Sequence, residues 1–203
     1  MSNSNKNKTA IVTGGTSGIG LAIVELFRQK GITTISVSRH QYSSEHHIQC
    51  DVSDEKSVKI LINKVIKDYQ KIDILVNNAG ISSVGDIKEI SLNEWNEVIK
   101  INLTGPFLCS KYVLSHMQER KQGKIVNIAS IAGRHRSVTA SVAYTCSKYG
   151  MIGMWIYHIM FRLVSANSNL IICQERLSKK KNYHSWRNYC GFVISDSILC
   201  VFT

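Results

Sequence analysis

The octapeptide Thr13–Gly20, TGGTSGIG, constrains this chain more than any other feature. It sits between a short apolar run (Thr9-Ala10-Ile11-Val12) and a segment with helical period (Leu21, Ala22, Val24, Leu26, Phe27). The order is strand, glycine turn, helix. Gly14, Gly18 and Gly20 remove side chains where the backbone turns tightly, where a pyrophosphate comes close, and where helix packs on strand. The start of the helix then offers unpaired N–H groups and a positive dipole end to phosphate. A glycine turn alone often does no more than turn the chain. Its setting between strand and helix points to a dinucleotide site.

The alternation continues through the first 150 residues. Gly31 is a natural helix stop. Ile32–Ser38 is β-branched and reads as a second strand, and His47–Asp51 as a short third one. Ser53 is expected to cap a helix running to about Tyr69, with Val58, Leu61, Ile62, Val65 and Ile66 on one face. Ile72–Val76 is a nearly continuous apolar strand, as expected when helices cover both faces. Ser91-Leu92-Asn93-Glu94 is a capping box that opens a long helical region, which Gly105-Pro106 is expected to bend. Lys124–Ala129 is a fifth strand, and a helix follows from Tyr144. The pattern predicts an α/β fold, a doubly wound parallel sheet.

Composition excludes other classes. At 203 residues the chain is long enough for one domain with a core. Its six cysteines form no CxxC pair, which predicts free thiols in a reducing compartment, the cytoplasm. The polar start MSNSNKNK is not a secretory signal, and no run of about 18 apolar residues is present, so no membrane span is expected. The net charge of +11 raises nucleic-acid binding as a third reading. The lysines of the second helix are interleaved with acids, however, and Lys179-Lys180-Lys181 has no nucleic-acid motif around it, so no nucleic-acid partner is expected. The cysteine and histidine spacings fit no ligand pattern, and no metal site is expected.

Five signals in order give the chain a resemblance to the short-chain dehydrogenase/reductase family. They are TGGTSGIG, NNAG at Asn77–Gly80, Asn102 within INLTG, Ser130 after the fifth strand, and Tyr144-x-x-x-Lys148. Residues 73–153 are similar to 3-oxoacyl-(acyl carrier protein) reductases and related alcohol dehydrogenases. The resemblance implies hydride transfer between a nicotinamide cofactor and a small carbonyl or alcohol. Tyr144 and Lys148 are four apart and share a helix face. A tyrosine titrates near about 10 and is a poor base at neutral pH, and an ammonium nearby favours its phenolate. Tyr144 is thus the implied acid/base, with Lys148 its electrostatic aid and a ligand of the nicotinamide ribose. Ser130 would hold the substrate oxygen, and Asn102 would anchor a water. Taken singly, these residues also read as a helix-surface pair, a turn cap and a filler at a helix bend.

The resemblance also implies the cofactor contacts: Gly14, Thr16, Ser17, Gly18, Ile19 and Gly20 at the phosphates, Asn78, Ala79 and Gly80 beside them, and Asp51 and Val52 at the adenine. The second strand ends in Ser38-Arg39-His40, without the acid that binds NAD ribose hydroxyls. An arginine can take a 2′-phosphate through paired charged contacts. NADP is therefore expected, with NAD as second choice. The other reading of Arg39 is a plain surface cation. A homo-oligomer paired through the fourth and fifth helices is also implied.

The resemblance stops after Gly153. Residues 154–203 lack the expected Pro-Gly turn, and Pro106 is the chain's only proline. The expected organisation is a dinucleotide-binding domain over 1–153 and an atypical tail over 154–203, from a shifted reading frame or a damaged gene. Asn169–Cys173 and Gly191–Ser195 are rich enough in β-formers for further strands, with disorder as the alternative. The rival to an NADP-dependent enzyme is thus a non-catalytic remnant that binds nucleotide weakly.

Overall fold

The structure is a computed structural model that describes residues 7–134 and 140–164. Five strands alternate with helices: β1 (Thr9–Thr13), α1 (Gly18–Gln29), β2 (Thr33–Ser38), β3 (His47–Gln49), α2 (Glu55–Tyr69), β4 (Ile74–Asn77), α3 (Leu92–Ile99), α4 (Gly105–Glu119), β5 (Lys124–Asn127) and α5 (Val142–Val164). The strands form one sheet in the order β3-β2-β1-β4-β5, and every pairing is parallel. This is the doubly wound α/β fold. The chain leaves β1 toward β2 on one side and later returns to β4 on the other. That reversal opens a crevice at the carboxyl ends of β1 and β4, where ligands of such sheets bind.

Strand alternation divides the core between two faces. Ala10 and Val12 of β1 pack with Ile23, Val24 and Phe27 of α1. Ile11 faces the other way, into a larger cluster with Val58, Leu61, Ile62 and Val65 of α2 and Leu108, Val113 and Met117 of α4. Each buried Val, Ile, Leu, Phe or Met side chain among them contributes roughly 1.5–3 kcal/mol before entropy is counted.

Several local expectations need correction. Asp54, not Ser53, caps α2, accepting from the Ser57 N–H at 2.8 Å. A carboxylate there also suits the positive helix end, and Ser53 instead donates to Asp51. The inward face of α1 carries Ile23, whereas Ala22 is exposed. β3 and β5 end earlier than their apolar runs. Ser91 does cap α3, accepting from the Glu94 N–H at 3.2 Å. Gly31 takes a φ of +75° just after α1 ends. The α3–α4 region is interrupted by a π-helical turn, Lys100–Thr104, immediately before Gly105-Pro106. Proline has no N–H for the carbonyl four residues back, and its ring clashes with that carbonyl. That residue is Asn102, and a widened turn is the physical answer. The suggested strands at 169–173 and 191–195, and Lys179–Lys181, lie outside the described residues. α5 itself runs through Gly153 without a break.

Candidate active site

The glycine turn leaves β1 at the carboxyl edge. Gly14 (φ +65°) and Gly18 (φ +52°) both use backbone conformations that favour glycine. A Cβ on Gly20 would lie 2.1 Å from the Gly14 carbonyl, so no side chain fits where α1 closes against the turn. A Cβ on Gly18 would meet nothing, because that part of the turn faces open space. Ser17 precedes α1 without capping it by its side chain, and the first turn of α1 has no acid. Ser17 and Gly18 are exposed, and Thr16 and Ile19 are half-buried. The N–H groups of this helix start are thus left to an outside anion. These residues fit a dinucleotide's phosphates.

The loop after β4 is clipped to that turn. Thr13 Oγ1 accepts from the backbone N–H of Asn78 and of Ala79, both at 3.0 Å. Asn78 Nδ2 donates to the carbonyls of Thr13 and Gly14, at 3.0 and 3.2 Å. The Asn78 side chain is therefore spent on holding the turn in shape. Gly80 comes next, exposed, and a Cβ there would sit 3.2 Å from Asn102 Oδ1.

At the end of β2, the Gly14 N–H donates to the Val37 carbonyl at 2.7 Å, which brings Ser38-Arg39 next to the glycine turn. Ser38 Oγ donates to the His40 carbonyl and also meets His47 Nε2 at 2.9 Å. Arg39 is exposed, with one long ion pair to Glu97 at 3.8 Å. Such a pair contributes little and leaves a guanidinium at the rim. Asp51 lies nearby. Burial raises its pKa, but bonds from Ser53 and the charges of Arg39 and Lys100 outweigh that and hold it below the ordinary value. Val52 is buried and would touch a Cβ on Gly105.

α5 and the segment after β5 supply the remaining groups. Lys148 is 4% exposed, and its Nζ donates to the Ile128 carbonyl at 2.9 Å. The ammonium lies 5.6 Å from the centroid of the Tyr144 ring. Burial lowers the Lys148 pKa from 10.5 to about 8. Ser130 stands two residues beyond Ile128 and caps a short 3₁₀ turn, Ile131–Gly133, by accepting from the Ala132 N–H at 3.2 Å. A Cβ on Gly133 would press on the Lys148 backbone at 2.9 Å, so this turn lies directly against α5. The fold thus sets the segment of Ser130 against α5 beside Lys148, with the Tyr144 ring next to the Lys148 ammonium.

Asn102 is fully buried in the π turn. Its Oδ1 accepts from the Ile81 N–H, and its Nδ2 donates to the Ile81 carbonyl, both at 2.8 Å. Nδ2 also donates to Ser147 Oγ at 3.2 Å. The side chain is therefore a clamp between the β4 loop and α5. Sequence reasoning missed Ser141 and Ser147, which flank Tyr144. Ser141 three residues before the helical Tyr144 is a legible cap signal, and its Oγ accepts from the Tyr144 N–H at 3.1 Å. Ser147 has no signal beyond being a polar residue on the inner face of a helix.

Among the described residues no group of three or more His, Cys, Asp or Glu side chains is arranged to hold a metal ion. No helix among them is long and apolar enough to cross a membrane.

Known proteins are similar to this chain in sequence and fold. The family model described as short chain dehydrogenase matches residues 8–157. An uncharacterized oxidoreductase of Thermotoga maritima is 38% identical over 162 residues, 73% of this chain and 63% of that protein. The 3-oxoacyl-[acyl-carrier-protein] reductase of the same organism is 31% identical over 180 residues, covering 80% of this chain and 72% of the other. The ligand-free aldohexose dehydrogenase structure from Thermoplasma acidophilum superposes with a TM-score of 0.74 at 35% identity, over 83% of this chain and 66% of that one. The chain spans about three fifths of the length of several curated relatives it matches. With the parallel sheet, the open glycine turn and a family match over most of its length, the chain belongs to the short-chain dehydrogenase family.

Proposed function

We propose that this chain is an NADP-dependent oxidoreductase that interconverts a small carbonyl compound and its secondary alcohol. The observation that carries the reading is the buried Lys148 ammonium beside the Tyr144 ring, on the same sheet edge as the open glycine turn. When bound, the nicotinamide cofactor supplies or accepts the hydride. Gly14, Thr16–Gly20 and the Asn78–Gly80 loop would hold its phosphates. Arg39, with Ser38 behind it, would take the 2′-phosphate, and Asp51 and Val52 would border the adenine. Tyr144 gives its phenolic proton to the carbonyl oxygen during reduction and takes it back during oxidation. Lys148, whose ammonium lies 5.6 Å from the centroid of that ring, would hold the nicotinamide ribose. Ser130 accepts the Ala132 N–H through its oxygen and so keeps its hydroxyl proton for the substrate oxygen.

The Asn102 side chain is committed to Ile81 and Ser147, so a water anchored here would rest on its backbone carbonyl. That is the carbonyl to which Pro106 brings no N–H. A short 3-oxoacyl thioester or a simple ketone is the substrate class to try first. We assign residues 1–153 to the nucleotide-binding unit and 154–203 to an atypical tail, and we place the protein in the cytoplasm as a homo-oligomer. The free thiols of Cys50, Cys109 and Cys146 suit a reducing compartment.

Two variants test the reading. Tyr144→Phe is expected to lower NADPH-coupled turnover by about a thousandfold, within the range for a lost acid/base, while NADPH affinity stays within twofold. Surviving turnover would remove Tyr144 from its role. Arg39→Ala is expected to weaken NADPH and leave NADH nearly unchanged, and equal loss of both would favour NAD. A second reading rests on the family match ending at residue 157, ahead of the atypical residues 158–203. In that reading the chain is a non-catalytic relative, marked by NADPH binding without turnover on any ketone or thioester offered.

A further inference from the structure

We propose that Ser141 and Ser147 are positioning residues, which tie Tyr144 to the loop after β4 through one closed hydrogen-bond circuit. The kinetic part of this proposal rests on the catalytic reading above, and the structural part does not. The Tyr144 backbone is held at both ends by serine hydroxyls. Its N–H donates to Ser141 Oγ at 3.1 Å, and its carbonyl accepts from Ser147 Oγ at 2.7 Å. Each serine then reaches the same short segment by a different route. Ser141 donates its backbone N–H to the Ser83 carbonyl at 2.9 Å, and the two serine hydroxyls are hydrogen-bonded to one another. Ser147 accepts from Asn102 Nδ2, and Asn102 pairs with both backbone groups of Ile81. Ile81 and Ser83 are two residues apart, which closes the ring.

Burial turns this ring into a constraint. Ser141, Ser147 and Asn102 are each 0% exposed, so water cannot replace a lost partner. Two of the bonds span more than 40 residues of sequence, from Asn102 to Ser147 and from Ser83 to Ser141. They therefore join three pieces far apart in sequence: the β4 loop, the π turn and the first two turns of α5. Lys148 follows Ser147 directly, so the same attachment sets the height of the buried ammonium. A helix held only by its apolar face can slide or rotate by a fraction of an ångström. One pinned at successive backbone groups of a single residue cannot do so without breaking both of these bonds. A displacement of about 1 Å at a reacting group can cost a hundredfold in rate.

The test uses the whole chain with Ser141→Ala, Ser147→Ala and the milder Ser83→Ala, together with Ser141→Thr as the conservative replacement. Two readouts are taken: NADPH-coupled turnover of a short 3-oxoacyl thioester across pH 6–9, and amide hydrogen exchange on peptides containing Ile81 and Tyr144. The alanine variants are expected to lower kcat by about ten- to a hundredfold with the NADPH KM within twofold and to shift the pH profile, whereas Ser141→Thr is expected to keep the kcat lost in Ser141→Ala. Ser147→Ala is also expected to speed exchange at Ile81, in a different part of the sequence. An exchange increase confined to α5, or kcat within twofold of the parent in all three alanine variants, would overturn the proposal. If a serine variant in α5 fails to fold, Ser83→Ala carries the same two readouts. If the parent chain shows no turnover, the catalytic reading fails. Exchange at Ile81 then decides the circuit alone, its rise sustaining it and its constancy overturning it.

Discussion

At the amino edge of the sheet, Asp73 sits just ahead of β4 and accepts from the Thr9 N–H at 2.9 Å and from Arg120 Nη2 at 2.8 Å. Arg120 also donates to the Ile72 carbonyl, and His116 Nε2 accepts from the Ile72 N–H. Three segments are joined there, and the charges of the buried carboxylate and the guanidinium cancel. At the carboxyl edge the logic is reversed. A buried lysine has a carbonyl as its acceptor rather than a carboxylate, two glycines take left-handed conformations, and the start of α1 has no side-chain cap. Asn77 is buried there too, and its Oδ1 has no hydrogen-bond partner among the described residues. One edge is closed upon itself and stabilises the fold. The other holds groups at a cost in stability, and such groups are what a bound cofactor and substrate require.

The sharpest way to break this contrast is to damage the amino edge. Arg120→Met leaves the Asp73 carboxylate buried with only backbone partners. It is expected to cost about 3 kcal/mol in urea unfolding, with NADPH affinity of the folded protein unchanged. A loss below about 1 kcal/mol would show that the pair is not a structural staple.

The opposite sign is expected at the other edge. Lys148 has a folded pKa of about 8 against 10.5 for the free group, so holding its charge costs roughly 3 kcal/mol below pH 8. Between about pH 8 and 10.5 the unfolded chain binds a proton that the folded chain has released, so stability rises with pH across that window. Lys148→Met is expected to gain about 1–2 kcal/mol at pH 7, less than the full cost because the Ile128 carbonyl loses its donor. The advantage over the parent should shrink as pH rises toward 10.5, measured by melting at each pH. A destabilised Lys148→Met at neutral pH would mean that the charge is held favourably.

The smallest effect concerns His116. Burial and then the Arg120 charge lower its pKa from 6.5, with Glu119 and Asp73 opposing. The folded state thus binds fewer protons than the unfolded state just below pH 6.5. Stability present above that value is lost as pH falls. His116→Gln should flatten the melting curve between pH 7 and 5, and an unchanged acid slope would remove His116 from the staple.

How much of this was legible in the sequence differs between elements. β1, β2 and β4 follow from apolar, β-branched runs, because strands covered on both faces have no polar positions to blur the pattern. The glycine turn and the Ser91 cap were legible because local backbone needs select residue type. Asp54 was not separated from Ser53, since both residue types cap helices and one position decides between them. The π turn is legible only as a proline bend, because sequence shows where a hydrogen bond is missing and not how the helix widens to absorb it. Asn102 was picked out by its motif, but its clamp on Ile81 is a contact across 21 residues, and Ser147 has no local signature at all. Non-local polar pairing of this kind appears only once the fold is built.

The central claim is that the open glycine turn binds a dinucleotide whose reactive ring lies beside Tyr144 and Lys148. Thermal unfolding with saturating NADPH, on the parent chain and on Gly18→Ala, tests it most directly. Ligand at about a hundred times its Kd should stabilise the parent by about 2.7 kcal/mol, a rise of several degrees, with a smaller rise for NADH. Gly18→Ala, which puts a methyl on the open face at a left-handed φ, should lose most of it. A melting temperature that neither NADPH nor NADH moves would contradict the account.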